Sequence, residues 1–185
     1  MLHASRLLPG GHGLAPVLRK RAATVELDWD VRQKSRFDCT DSLGRQLGVF
    51  LARGTAVRGG DVLVAEDGSL VRVVAAPQPV LVITPCPDHG TPFDLTRAAY
   101  HLGNRHVPIE LAPDHLKIEP DHVLADMLRA MGLDVVATSA AFEPEGGAYA
   151  APGQRGPGHG HAHGHADGGD HHGHDHSHGP GHHDH

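Results

Sequence analysis

From Ala150 to His185 the chain contains no Val, Ile, Leu, Met or aromatic residue. Gly, His, Asp and Pro fill that stretch. A segment without apolar side chains has nothing to offset an ordering entropy of roughly 1–2 kcal/mol per residue. Roughly the last fifth of the chain is therefore expected to be a disordered tail when no ligand is present, and any packed core must come from residues before about 149. Aromatics make up only 4% of the 185 residues, which favours one modest domain or two small ones over a single large core.

Charge and hydropathy remove several classes. The formal net charge is -6 with His neutral, which argues against nucleic acid reached through a basic face. No run of eighteen apolar residues exists to cross a membrane. Leu7 and Leu8 run straight into Pro9-Gly10-Gly11-His12, unlike the apolar stretch of a secretory leader. Two cysteines, Cys39 and Cys86, cannot build a disulfide framework, and a reducing cytoplasm is the expected location.

Residues 1 to about 23 read as an irregular Gly/Pro/basic lead-in to an N-terminal β domain that ends near residue 76. Val25, Leu27, Trp29 and Val31 alternate with polar residues, the period of a half-buried strand. Apolar runs at 47–51, 62–64 and 70–74 give further strands, separated by turn residues such as Gly59-Gly60 and Asp67-Gly68.

From 77 to 148 the texture changes. Val80–Ile83 reads as a strand. Thr91, Pro92 and Asp94 then form a helix start, with an apolar stripe of Leu95, Ala98, Ala99 and Leu102. Gly103 and Asn104 are expected to stop that helix, because both tolerate positive φ. Val107, Ile109 and Leu111 alternate as a strand, and Leu116–Ile118 returns after Pro113-Asp114. A second helix is expected from about Pro120 to Met131, its stripe being Val123, Leu124, Met127, Leu128 and Met131, with Gly132 as its stop. A last strand begins at Leu133. The resulting fold class is α+β: a small all-β domain, a ferredoxin-like βαββαβ domain, and a His-rich tail from 149 to 185.

Twelve of the nineteen histidines lie in that tail: His159, His161, His163, His165, His171, His172, His174, His176, His178, His182, His183 and His185. Neutral imidazole suits nickel, zinc and copper, and intervening glycines let several rings converge on one ion. Asp167, Asp170, Asp175 and Asp184 can add oxygen ligands. Loose, exchangeable binding of several divalent ions is the expected chemistry, ahead of a purification tag, an inert solvated tail or a pH-responsive one.

In the folded part, His106 falls in a turn outside both flanking apolar patterns. One imidazole cannot hold a metal tightly, but two brought together across a two-fold axis could. His122 opens the second helix and His101 lies off the stripe of the first; for both, a plain surface role competes with a ligand role. Cys86 and His89 have a C-x-x-H spacing, too few ligands for a zinc site. No nucleophile elbow, phosphate loop or H-E-x-x-H motif is present. A metallohydrolase would need Glu110 or Asp121 as its base.

The run from Tyr100 to Pro108, YHLGNRHVP, resembles the signature of the urease accessory protein E (UreE) family, nickel metallochaperones of urease maturation. Asp121-His122-Val123-Leu124, Gly132-Leu133, Phe142–Glu145 and Gly147-Ala148-Tyr149 extend the resemblance, as do Lys34-Ser35-Arg36, Arg53-Gly54 and Gly59–Leu63 upstream. It covers roughly residues 24 to 150, leaving the first twenty or so outside. What it implies is a homodimer and not an enzyme, its N-terminal domain (1–76) similar to peptide-binding modules, with Ni(II) as cargo shared by His106 of each subunit and Zn(II) or Cu(II) as further ions that can bind. The tail would gather ions, and His122 would match a peripheral ligand whose companion position is Pro120 here. The implied partners are the urease apoprotein, the urease accessory GTPase and the other accessory proteins. A storage or sequestration protein acting through the tail is the alternative.

Overall fold

The computed structural model describes residues 1–146. The expected tail, with all twelve of its histidines, lies outside the described residues, as does the end of the second domain at 148. In chain order the elements are β1 (Leu2–Leu8), α1 (Pro16–Arg21), β2 (Ala23–Leu27), α2 (Trp29–Arg32), β3 (Arg36–Thr40), β4 (Gln46–Phe50), β5 (Val62–Ala65), β6 (Leu70–Ala75), β7 (Gln78–Pro85), α3 (Pro92–Gly103), β8 (Glu110–Leu111), β9 (Leu116–Ile118), α4 (His122–Ala130) and β10 (Leu133–Ala140). The chain is α+β with two sheets.

The first sheet has six strands in the order β2-β6-β5-β1-β4-β3. Alternate residues turn inward to a core of Ala4, Val25, Leu27, Leu47, Val49, Leu63, Val71 and Val73. Here the lead-in reading is corrected. β1 is an interior strand, parallel to β4 on one side and antiparallel to β5 on the other. In LHASRLL only Ala4 is fully buried, so small side chains and charges hid the strand from an apolar count. The strand expected through Val31 ends at Leu27. Asp28 accepts the Val31 N–H at 3.0 Å and caps α2, so a local side-chain bond overrides the alternation. β3 was not anticipated. It is an edge strand whose Phe37 and Cys39 turn partly inward while Arg36, Asp38 and Thr40 face solvent.

The second sheet runs β10-β7-β9-β8, every neighbour pair antiparallel. With α3 and α4 this is the split βαβ arrangement expected from the element order. Leu95, Ala98 and Leu102 of α3 and Ala125 and Leu128 of α4 meet Leu81, Ile83, Leu116 and Ile118 of the sheet. The α4 stripe is rotated from the expected one, because Val123 is 62% exposed and Ala125 is buried in its place. The strand expected from Val107 shrinks to Glu110–Leu111.

A third cluster joins the two sheets. Trp29 and Phe142 pack edge to face at 6.4 Å between centroids, with Val80 beneath them. The fully buried Arg32 donates to the Leu27 carbonyl at 3.0 Å, the Phe142 carbonyl at 2.6 Å and Glu143 at 2.9 Å. Arg58 stacks over Trp29 at 4.8 Å and also reaches Glu143. A buried charge is tolerable only when its donors are matched in this way.

Candidate metal centre

α3 begins as the sequence indicates. Thr91 is the N-cap, Asp94 Oδ2 accepts the Thr91 N–H at 2.8 Å, and Pro92 takes the first turn. Its other end stops at Gly103 as the sequence indicates, but the left-handed residue lies further on and defines the site. Asn104 stays right-handed at φ -62, and Gly103 is not among the residues with positive φ. The reversal falls instead on His106, at φ 57 the only non-glycine with positive φ among the described residues. His106 N–H donates to Gly103 O at 2.9 Å, and Val107 N–H donates to Leu102 O at 3.2 Å. These two bonds form a Schellman closure with His106 in the position usually given to glycine. Val107 then turns back onto the cluster that holds Leu102, the apolar contact that accompanies such a closure. An imidazole is thus held at an exposed helix end on left-handed backbone, where a side chain costs of order 1 kcal/mol.

The segments around His106 are fixed. Arg105 Nη1 donates to the His101 carbonyl at 2.9 Å. Ile109 is buried, and its carbonyl accepts the Glu145 N–H at 2.7 Å. Glu110 accepts Lys117 Nζ at 2.7 Å through one oxygen and the Glu143 N–H at 2.7 Å through the other. The chain that leads to the histidine-rich segment therefore departs beside the strand that follows His106. Both carboxylates considered as hydrolytic bases have structural work. Glu110 is held as described, and Asp121 caps α4 through the Leu124 N–H at 2.9 Å.

His101 is half-buried on α3, its ring edge to face with exposed Tyr100 at 5.4 Å. His122 is exposed on the first turn of α4. Among the described residues, no three His, Cys, Asp or Glu side chains converge, so His101, His106 and His122 are not gathered into one site within a chain. Cys86 and His89 do meet, Sγ to Nδ1 3.4 Å apart, over a tight loop closed by Gly90 N–H to Cys86 O at 2.7 Å. Sequence spacing alone did not reveal the left-handed backbone of His106. Leu102 and Val107, five apart across G-N-R-H, were the available signal.

No helix among the described residues is long and apolar enough to cross a membrane. The sequence matches two family models: the N-terminal domain of the UreE urease accessory protein over residues 4–76, and its C-terminal domain over residues 78–185. The first match starts within β1, which brings the early residues inside the resemblance. The chain is 82% identical over 153 residues to the urease accessory protein UreE of Paracidovorax citrulli, covering 83% of this chain and 73% of that protein. It is 79% identical over 153 residues to that of Albidiferax ferrireducens, covering 83% and 88%. It is 51% identical over 154 residues to that of Burkholderia ambifaria, covering 83% and 72%. With the two family models matched over residues 4–76 and 78–185 and relatives this similar, the chain belongs to the UreE family of urease accessory proteins.

Proposed function

We propose that this protein is a nickel metallochaperone, not an enzyme, that binds Ni(II) and delivers it to the urease apoprotein during active-site assembly. The observation that carries this reading is the solitary, exposed His106 on a strained helix closure. Among the described residues a single chain offers one imidazole there, and a two-fold axis would offer two. Phe93 and Tyr100 on α3 and Leu111 on β8 leave 66%, 66% and 52% of their surfaces exposed. They lie on the two elements that flank His106, which supports placing a homodimer interface there.

The tail histidines, His159 to His185, gather ions and supply further ligands in this scheme. Glu145, tied to Ile109, lies some fourteen residues before His159. That length spans up to about 50 Å, ample to bring tail imidazoles to His106. His101 and His122 are secondary ligand candidates. Imidazole ligands exchange, and a carrier that must surrender its cargo needs exchange more than it needs a closed thiolate cage. Zn(II) and Cu(II) fit the same nitrogen donors. The urease accessory GTPase and the other accessory proteins are the proposed partners, and the cytoplasm the proposed location.

Calorimetric titration of Ni(II), with sedimentation of the same samples, tests the scheme. The intact protein should be a dimer with a tight nickel site plus weaker ones. His106→Ala should remove the tight site and keep the weak ones. A variant that retains every tight equivalent would overturn the assignment. The twelve tail histidines favour one second reading, storage of nickel or zinc by the tail alone. Under it, ending the chain at residue 150 abolishes the cellular phenotype, whereas the chaperone reading leaves partial urease activation in low nickel.

A further inference from the structure

The outer face of the first sheet carries a feature that metal binding does not use. Gly10, Pro16, Arg19, Lys20, Gly60 and Arg72 line a cavity of about 420 Å³. Arg72 lies on β6, paired with Thr24 of β2 and Val62 of β5. Its neighbours Val71 and Val73 are fully buried in the core, so Arg72 turns to the opposite face. There the turn Pro9–Gly11 and α1 approach the sheet. Gly11 has φ 65, and a Cβ on it would meet Arg19 Cδ at 2.6 Å and Val62 Cγ2 at 3.2 Å. The missing side chain is what seats the Arg19 stem against the turn. Segments distant in sequence thus bring two guanidinium groups and an ammonium to one cavity.

The charges there are unmatched, in a chain whose net charge is -6. Arg19 gives one donor to the Gly10 carbonyl at 3.3 Å, while its Nε is buried with no hydrogen-bond partner among the described residues. A buried N–H left in that state is unfavourable until an acceptor reaches the fork. Lys20 and Arg72 line the same cavity without an ion pair or side-chain hydrogen bond among the described residues. The acid that meets this loop, Asp61, is buried, and its two oxygens accept the Gly10 and Arg58 N–H groups at 2.8 Å, so neither pairs with the cluster. Basic residues in the last turn of α1 complement its carbonyl end, but that accounts for neither Arg72 nor the glycine seat. Cations converging from a helix and a strand match an anion with several oxygens and more than one charge. A phosphate group carries about −1.5 to −2 charges and three acceptor oxygens, against a single charge on a carboxylate. Guanidinium forks bind such a group two bonds at a time.

We propose that this cavity binds a phosphate group, borne by a soluble phosphomonoester or diphosphate or by a lipid headgroup. Arg19 and Arg72 hold its oxygens, and Lys20 adds a third positive charge. The site uses none of the histidines proposed as metal ligands and stands or falls without them.

The test titrates inorganic pyrophosphate into metal-free full-length protein at pH 8, where imidazoles are neutral, and reads the heat. One saturable site per chain is expected, weakening as salt rises. Arg19→Ser with Arg72→Ser should weaken pyrophosphate at least tenfold, and Lys at both positions should recover part of the loss. If the double variant melts early, Arg72→Ser alone should still weaken binding at least threefold. Arg36→Ser, on the far edge strand β3, should change nothing. Flotation with phosphatidylcholine vesicles, with and without phosphatidic acid, decides the source of the phosphate. Capture by phosphatidic acid that pyrophosphate competes off assigns the headgroup, and any other result assigns the soluble ligand. The proposal is overturned if pyrophosphate does not bind, if the Arg36 variant loses as much affinity as the Arg72 variant, or if acetate displaces pyrophosphate as readily as inorganic phosphate does.

Discussion

Arg32 Nη1 lies 2.9 Å from Glu143 Oε1, an ion pair that ties the first sheet to the chain segment leaving the second. Arg32 is fully buried, and its remaining donors reach backbone carbonyls on both sides of the seam. Replacing it by Met should cost about 1–3 kcal/mol, since the buried Phe142 carbonyl loses its donor while Glu143 keeps Arg58 and Gly59 N–H and the Leu27 carbonyl keeps Ala76 N–H. Arg32→Lys cannot reproduce the fork and should recover only part of that. Urea unfolding monitored by Trp29 fluorescence reads both, because Trp29 sits in the same cluster.

The backbone of His106 separates ligand loss from structural loss. His106→Gly relieves the left-handed penalty, whereas His106→Ala keeps it. The glycine variant should be the more stable of the two by about 1 kcal/mol. Both should lose tight nickel equally. Thermal melts beside nickel titrations check this. A glycine variant less stable than the alanine one would contradict the assigned closure.

Asp41 gives the fold an acid limit. Burial alone would raise its carboxyl, but the Arg45 backbone and side chain and the Leu43 N–H outweigh that and hold it below the ordinary carboxylate value. A depressed carboxylate stabilises the fold above its unfolded pKa, and the contribution disappears as pH falls through the folded value. Stability should therefore decline below about pH 4, where an unfolded carboxylate protonates. Asp41→Asn should lower stability at pH 7 and flatten that decline. Urea midpoints between pH 7 and pH 3 measure both effects.

The two thiols should differ in reactivity. Burial, then Asp38 and Asp41, pushes Cys39 up to about 11, which leaves very little thiolate at pH 8. Cys86 lies in a loop against His89. Alkylation at pH 8 followed by peptide mass mapping should label Cys86 first and Cys39 only slowly. Equal rates would mean that β3 opens readily at the sheet edge.

Gly90 closes the Cys86 loop so tightly that a Cβ there would collide with the backbone N and O of Cys86. Gly90→Ala must displace backbone and should cost about 1–3 kcal/mol. Gly103→Ala, with open space around its Cβ, should be neutral or mildly stabilising. Comparing the two melting temperatures separates loop packing from a general glycine effect.

The second sheet was largely legible in the sequence because its signals were local: a capping box at Thr91–Asp94, a stripe at helical spacing, and Gly132 after α4. The first sheet was less so. β1 gains its place from β4 and β5, about forty and sixty residues away, and nothing within LHASRLL announces them. Asp28 ended a convincing alternation by capping a turn. At the site, the identity of His106 stood out but its conformation did not, since a positive φ is decided by where Val107 can pack. Arg32 and Glu143 are 111 positions apart and carried no joint pattern to read.

β1 lies between β4 and β5, and both are encoded after it. On the ribosome this strand emerges before either partner exists and must wait until about residue 65 has cleared the exit tunnel. Its long-range pairings make the first sheet slow to assemble relative to the locally wired helices of the second. A bulky fusion placed ahead of Leu2 would burden the strand at the middle of that sheet during the wait, so soluble yield should suffer more from an N-terminal carrier than from one attached at the opposite end.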